Sequence, residues 1–201
     1  MRLKIDHLAV CAETLAEGVD YVETLLGVAM APGGEHAKMG THNRLLSLGP
    51  DCYLEVIAIN PDAMAPDHPR WFDMDNFSGE PRLTNWICQV DSMDDLPAGL
   101  GQPMSLQRGD LRWQMAVPPD GKLPFHGAFP AAIKWAGSAH PNQRLPDSGC
   151  TLGQLNIRHP EVEDLRAELE PNLITKNVTY SNGDLMLSAV IATPSGLKVL
   201  Q

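Results

Sequence analysis

Leu3-Lys4-Ile5-Asp6-His7-Leu8-Ala9-Val10 and Tyr53-Leu54-Glu55-Val56-Ile57-Ala58-Ile59 are the two runs whose reading decides the fold. Both are short, aliphatic and strand-like. Side chains alternate along a strand, so Ile5, His7 and Ala9 share one face of the first run; Tyr53, Glu55, Ile57 and Ile59 share one face of the second. An imidazole and a carboxylate thus fall among apolar neighbours at strand centres, where burial without a partner is costly. Together His7 and Glu55 make half of a metal site or of an acid–base site.

Between these runs Leu15, Val19, Val22 and Leu26 recur at helical spacing, with Glu17, Asp20 and Glu23 on the other side. Thr14 is the expected N-cap and Gly27 the expected C-cap. Pro32-Gly33-Gly34 reads as a turn, followed by strands over 36–42 and 44–48 bent around Gly40. Gly49-Pro50-Asp51 then turns the chain into the Glu55 strand, so residues 1–60 read strand, helix, strand, strand, strand.

Residues 61–81 break this order, with Pro61, Pro66, Pro69 and Pro81 set among Trp71, Phe72 and Phe77. A connector this long and aromatic is expected to cover something. From Arg82 the pattern returns: a strand over 83–90, a short helix within 91–100 ended by Gly101, a turn at Arg108-Gly109-Asp110, and strands over 111–117 and 131–135. A third start gives a strand over 152–158, a helix over 161–169, a hairpin of 175–180 with 185–192, and a last strand over 197–200. The expected organisation is a first module (1–60), a connector (61–81), a second module with long loops (82–149) and a third segment (150–201) that completes the sheet, all in one functional domain.

At 201 residues, with 43% hydrophobic and 20% charged residues, the chain can bury one good core. A formal net charge of −10 and the lack of a basic stripe argue against nucleic acid as a partner. No apolar stretch approaches a membrane span, and the N-terminus enters a strand pattern at once, so a cytoplasmic setting is expected. Cys11, Cys52, Cys88 and Cys150 are scattered and read as free thiols. There is no Gly-x-Gly-x-x-Gly, phosphate loop, Gly-x-Ser-x-Gly elbow or His-Glu-x-x-His, which leaves nucleotide-dependent and serine-hydrolase chemistry without support.

Ile5-Asp6-His7-Leu8-Ala9-Val10, Leu25-Leu26-Gly27, Asn43-Arg44 and Tyr53-Leu54-Glu55-Val56-Ile57, in that order and spacing, resemble the vicinal oxygen chelate superfamily of glyoxalases and extradiol dioxygenases. Leu123-Pro124-Phe125, Ala132-Ile133-Lys134-Trp135, His140-Pro141 and the run from Cys150 to Pro160 look like its glyoxalase-like domain subgroup. The resemblance implies an α+β fold in which repeated βαβββ modules form curved mixed sheets around a cleft. It also implies a divalent metal held by a His or Glu at the start and end of each module. His7 and Glu55 match the positions of module one, whereas counting along module two places Trp86 opposite His7 and Lys134 opposite Glu55. Neither can ligate a cation, so the second half of the ligand set is missing.

Three readings stay open at this stage. In the first, His126 or His140 completes a site for one divalent metal, zinc, iron, manganese or nickel. In the second no metal binds, and Glu55, His7 and Lys134 act as acid, base and electrostatic clamp on a carbonyl or oxygen-bearing substrate, in a lyase or isomerase type of reaction. In the third the cleft only sequesters a ligand, as resembling drug-resistance proteins do. Arg44, Trp86, Trp135 and His126 are the candidate substrate-binding residues; His36, His68 and His159 are assigned to surface or turn roles. The resemblance further leads one to expect a homodimer.

Overall fold

The alternating runs are strands in the computed structural model, which describes residues 1–94 and 96–201. Its elements are β1 (Leu3–Cys11), α1 (Leu15–Leu26), β2 (Ala31–His36), β3 (Thr41–Ser47), β4 (Tyr53–Ile59), β5 (Arg82–Val90), β6 (Gln102–Arg108), β7 (Leu111–Val117), β8 (Ala131–Trp135), β9 (Thr151–Arg158), α2 (Val162–Leu169), β10 (Val178–Ser181), β11 (Met186–Thr193) and β12 (Gly196–Leu200). One mixed sheet runs β2-β3-β4-β1-β5-β8-β7-β6, and a second runs β10-β9-β11-β12. In the larger sheet β1 pairs parallel with β4, β5 pairs parallel with β8, and β1 and β5 join antiparallel at the centre. The two halves are therefore copies of one arrangement, and the expected α+β modular fold is the observed one.

The first helix forms as its sequence dictates. Thr14 and Glu17 close a capping box, and Gly27 ends the helix at φ 72°. Gly18, Val22 and Leu26 are buried. A Cβ on Gly18 would lie 2.5 Å from Cγ1 of Val56, so only glycine lets α1 settle this closely on β4. Val56 meets the helix, and its strand neighbour Glu55 is turned to the inner face.

Several expectations are corrected. The strand expected over 36–42 is the end of β2, a turn at 37–40 and the start of β3; and 175–180 with 185–192 is no hairpin, because β10 pairs parallel with β9, which separates it from β11. Pro32-Gly33-Gly34 is not a turn but part of β2, an edge strand whose register shifts between Pro32 and Glu35; Pro and Gly are tolerated at such an edge irregularity. The polar run Gln102–Arg108, not anticipated as a strand, is the opposite edge, β6. The third segment does not complete the first sheet. That sheet curls until its edge strands β2 and β6 approach, with Lys38 Nζ donating to the Ser105 carbonyl at 2.9 Å. Instead β9–β12 form their own sheet on the outer face, where β11 packs on β5 and β12 on α1. Of the helix expected within 91–100, the described residues show a 3-10 turn, Ala98–Leu100, and Asp95 lies outside them.

Candidate active site

The site begins with an irregularity in β1. Opposite β5, Ile5 pairs with Cys88 and His7 with Ile87, leaving Asp6 as an extra residue. Such a bulge breaks the alternation of the strand and re-aims its side chains. Asp6 and His7, adjacent in sequence, consequently meet through Oδ1 and Nδ1 at 2.7 Å. On the parallel partner, Tyr53 pairs with His7 and stacks on its ring at 4.4 Å between centroids. Glu55, two residues further, brings Oε2 to 3.5 Å from His7 Nε2.

A network of hydrogen bonds surrounds this pair. Asp6 Oδ2 accepts from Trp135 Nε1 at 2.9 Å and from His140 Nε2 at 3.1 Å. The Asn142 backbone N–H donates to His140 Nδ1, which places the His140 proton on Nε2. Asn43 donates through Nδ2 to Glu55 Oε1 and accepts at Oδ1 from the Gly34 N–H (2.8 Å) and Arg108 Nη1 (3.0 Å), a set that fixes the orientation of its amide. Gly33 matters here because a Cβ would fall 2.2 Å from the Asn43 carbonyl oxygen. His36 Nδ1 lies 3.0 Å from Thr41 Oγ1, and Nε2 faces Asn43 Nδ2 at 3.4 Å. Asp6, His7, His36, Asn43 and Glu55 are all buried.

These partners set the charges. Burial alone would push the His7 pKa down, but its bonds to Asp6 and then Glu55 raise it to about 9. Burial would push Glu55 up, yet its contact with His7 and the neighbouring charges bring it down to about 2. Asp6 is likewise held well below the usual carboxylate range: burial opposes this, and the bonds from His140 and His7 outweigh it. His36 goes the other way, down to about 4: burial disfavours its charged form, and the nearby charges of Arg108 and His7 add to this against the opposing pull of Glu55. At neutral pH His7 is therefore an imidazolium held between two carboxylates, and His36 is neutral.

The group opens on a chamber of about 20 Å³, room for one water, lined by His7, His36, Glu55, Arg108, Trp113 and Ile133 among others. Trp71 and Phe72 also line it, so the aromatic connector does cover something. There Phe72 (φ 61°) and Asp73 (φ 54°) hold the left-handed backbone that side chains disfavour. Sharing His36, Trp113 and Trp135 with the chamber is an outer groove of about 600 Å³.

The candidates from sequence are distributed unevenly. His7 and Glu55 meet in the chamber; Trp135 lines it and holds Asp6; His140 stands behind Asp6. Lys134 lines the outer groove and not the chamber. Trp86 is fully buried in the core with its indole N–H on the Ala128 carbonyl. Arg44 is exposed in a separate apolar groove with Leu15, Val19, His42 and Ile59. His126 lies in another groove, between the connector and β11. Two of the histidines read as surface or turn residues, His36 and His159, are buried. Asp6, Asn43, His36 and Arg108 were not singled out: the bulge is invisible to a count of alternation, and β2 and β6 were not seen as strands.

The residues do not fit the metal centre that the resemblance implies. The partner of His7 across β1 and β5 is Ile87, and the position two beyond the β5–β8 pair Ile87–Ala131 is Ile133, just as Glu55 stands two beyond Tyr53. The counterparts of His7 and Glu55 are thus two isoleucines, one residue away from Trp86 and Lys134. Both ring nitrogens of His7 are taken by carboxylates. Among the described residues no group of three or more His, Cys, Asp or Glu is arranged to hold an ion.

Two four-stranded halves joined through β1 and β5, with His7 and Glu55 facing a chamber inside the curl, define a protein of the vicinal oxygen chelate fold. Within it the chain belongs to the glyoxalase-like domain family, whose model matches residues 5–173. Comparison with curated proteins gives no match. Among solved structures, a hypothetical protein from Staphylococcus aureus is similar at TM-score 0.65 and 12% identity, over 91% of this chain and 87% of that one. Methylmalonyl-CoA epimerase from Mycobacterium tuberculosis matches at TM-score 0.44 and 14% identity, over 67% of this chain and 88% of that one. A variant of the Streptomyces coelicolor methylmalonyl-CoA epimerase, in complex with 2-nitronate-propionyl-CoA, matches at 0.45 and 15%, over 69% of this chain and 100% of that one. The first shares the fold; the likeness of the epimerases is too low to carry an argument.

Proposed function

We propose that the protein is a small-molecule enzyme of the lyase or isomerase type that moves a proton next to a carbonyl, without a metal. Glu55 is the base and His7 the donor to the substrate oxygen. The observation that carries this is the Asp6–His7–Glu55 relay, buried and facing the chamber. Its weak link is the 3.5 Å gap between His7 Nε2 and Glu55 Oε2, where a carbonyl oxygen can take over the N–H. Glu55 then loses its main stabilising partner and its proton affinity rises, while Asn43 keeps it aimed. Glu55 takes the proton from the adjacent carbon, the enolate oxygen forms on the His7 N–H, and the proton returns to carbon or a leaving group departs.

The test is deuterium wash-in. Small 2-oxo acids and hydroxyketones incubated with protein in D₂O are expected to exchange the hydrogen next to the carbonyl, equally with and without chelator. Glu55→Gln should slow this by about 10²–10⁴-fold. Exchange that disappears on chelation would sink the metal-free mechanism. A second reading, sequestration of a ligand, is favoured by the small chamber under Trp71 and Phe72; tight binding with no exchange of any compound would select it.

A cytoplasmic setting, supported by four free thiols, and a homodimer belong to the same proposal. The edge strand β12 leaves Leu197 and Val199 exposed, which supports pairing there. Leu197→Asp should turn a sedimenting dimer into a monomer; a monomeric wild type would remove the idea.

A further inference from the structure

The outer groove carries a charge pattern opposite to that of the chain. There are 25 Asp and Glu against 15 Lys and Arg in the sequence. Yet Lys38, Arg112 and Lys134 line the groove, and among the described residues no carboxylate does. These cations come from three places: the turn after β2, β7 and β8. Lys38 Nζ spends one hydrogen on the Ser105 carbonyl, and none of the three forms an ion pair among the described residues. A low-dielectric wall adjoins them, Trp113 and Trp135 at 5.4 Å between ring centroids, and both indoles line the chamber as well. Arg108, inside the chamber, continues the positive sign inward.

We infer that the groove is an anion-binding subsite and that the ligand is a small carbonyl compound bearing a carboxylate or phosphate, its charged end on Lys38, Arg112 and Lys134 and its carbonyl end directed past Trp113 and Trp135 toward His7. Clustered like charges beside apolar walls raise the local concentration of an oppositely charged ligand and orient it before it enters. The fit to size is reasonable as well: about 600 Å³ takes an anionic tail of several atoms, whereas the chamber of about 20 Å³ admits a reacting end only as the connector gives way. This inference rests on the proposed function for the direction of the carbonyl, but the anion site stands on the groove alone.

The experiment uses matched pairs of probes and reads binding without turnover, by tryptophan fluorescence and by saturation-transfer NMR. Pyruvate is compared with methyl pyruvate, and dihydroxyacetone phosphate with dihydroxyacetone. Inorganic phosphate and acetate test the headgroup alone. In the wild type the charged member of at least one pair should bind about tenfold more tightly or better than the neutral one, and the preference should shrink as ionic strength rises. Which pair discriminates more tells carboxylate from phosphate. The variant Lys38→Gln/Arg112→Gln/Lys134→Gln should lose that preference and bind the neutral probes as before. Arg112→Gln alone, at an exposed position, provides a reduced but measurable loss should the triple variant fold poorly. Equal binding of charged and neutral probes by the wild type, or an undiminished preference in the triple variant, would overturn the inference. Charged probes that bind but never exchange deuterium would count against the enzyme reading and leave the anion site standing.

Discussion

The two halves of the larger sheet repeat one topology, β1 with β4 and β5 with β8, yet they bring opposite chemistry to the chamber. The first half supplies His7, Glu55 and Asn43, each hydrogen-bonded and buried. The second half supplies Ile133, Met115 and the indoles of Trp113 and Trp135, with one charge, Arg108 on its edge strand β6, which donates to Asn43 of the first half. One physical cause separates them. A buried charge survives only inside a complete set of partners, and that set depends on the bulge at Asp6 and on the approach of β2 through Gly33 and Gly34. The second half places isoleucines at the matching positions, so it shapes the cavity with apolar walls. A pseudosymmetric fold has been loaded on one side.

The comparison breaks most severely at Asp6, where the charge receives His7, Trp135 and His140 together. Asp6→Asn leaves one acceptor and turns an amide N–H₂ toward donors. We expect a loss of about 3–5 kcal/mol in urea unfolding at pH 7. A loss under about 1 kcal/mol would mean that packing, not this charge, holds the two histidines and the indole in place. The next largest effect should come from copying the first half onto the second. Ile133→Glu mirrors Glu55 but adds a second carboxylate to a chamber whose cations are already engaged, His7 by Asp6 and Glu55 and Arg108 by Asn43, and should destabilise by about 3 kcal/mol. The deficit should ease as pH falls and the new carboxyl protonates. Full tolerance at pH 7 would show that the second half can accommodate a charge after all.

How much of this was legible follows the same division. The inner strands β1, β4, β7 and β8 are apolar or alternating, and the sequence pattern finds them within a residue or so; α1 announces itself through Thr14, Gly27 and its apolar spacing. The edges were missed because a strand paired on one side alone needs neither alternation nor β-branched residues, and β2 holds Pro-Gly-Gly while β6 is mostly polar. Those edges deliver His36 and Arg108, and β2 also fixes Asn43, so missing them hid half of the site. Strict alternation puts Asp6 on the face opposite His7, and only the bulge brings the two side chains together. Counting along the second module puts Trp86 and Lys134 opposite His7 and Glu55, and an extra residue in β1 is enough to displace such a count by one.

Two histidines of the chamber sharpen the comparison through pH. The His7 pKa is raised from an ordinary value of 6.5 to about 9, so its contribution to stability is complete below 6.5 and is lost as pH rises through 9. The His36 pKa is lowered from 6.5 to about 4, so its contribution is complete above 6.5 and is lost as pH falls through 4. Glu55, lowered to about 2, adds to the loss on the acid side only below its ordinary value of 4.5. Stability should therefore peak near pH 6.5, with a decline on the order of 2 kcal/mol toward pH 9. Denaturant midpoints measured from pH 4 to 9 check this. His7→Gln should flatten the alkaline limb and His36→Gln the acid one; identical limbs in both variants would detach the pH profile from the chamber.

The smallest effect is expected at Arg44, and it separates two neighbours in one strand. Asn43 and Arg44 are adjacent on β3, so their side chains leave opposite faces of the sheet. Asn43 is buried and bonded to Glu55, whereas Arg44 is exposed in the groove beside α1. An exposed strand arginine of this kind contributes little, and Arg44→Gln should change stability by less than about 0.5 kcal/mol. It should also leave deuterium exchange and the binding of anionic probes as they are in the wild type. Asn43→Ala, one residue away, removes the donor that aims Glu55 and frees the Arg108 guanidinium, and should cost both stability and exchange. Should Arg44→Gln weaken anionic probes as strongly as the Lys38, Arg112 and Lys134 substitutions do, the ligand enters from the outer face of the first half. The division between a charged chamber wall and an inert outer surface would then have been drawn on the wrong side of β3.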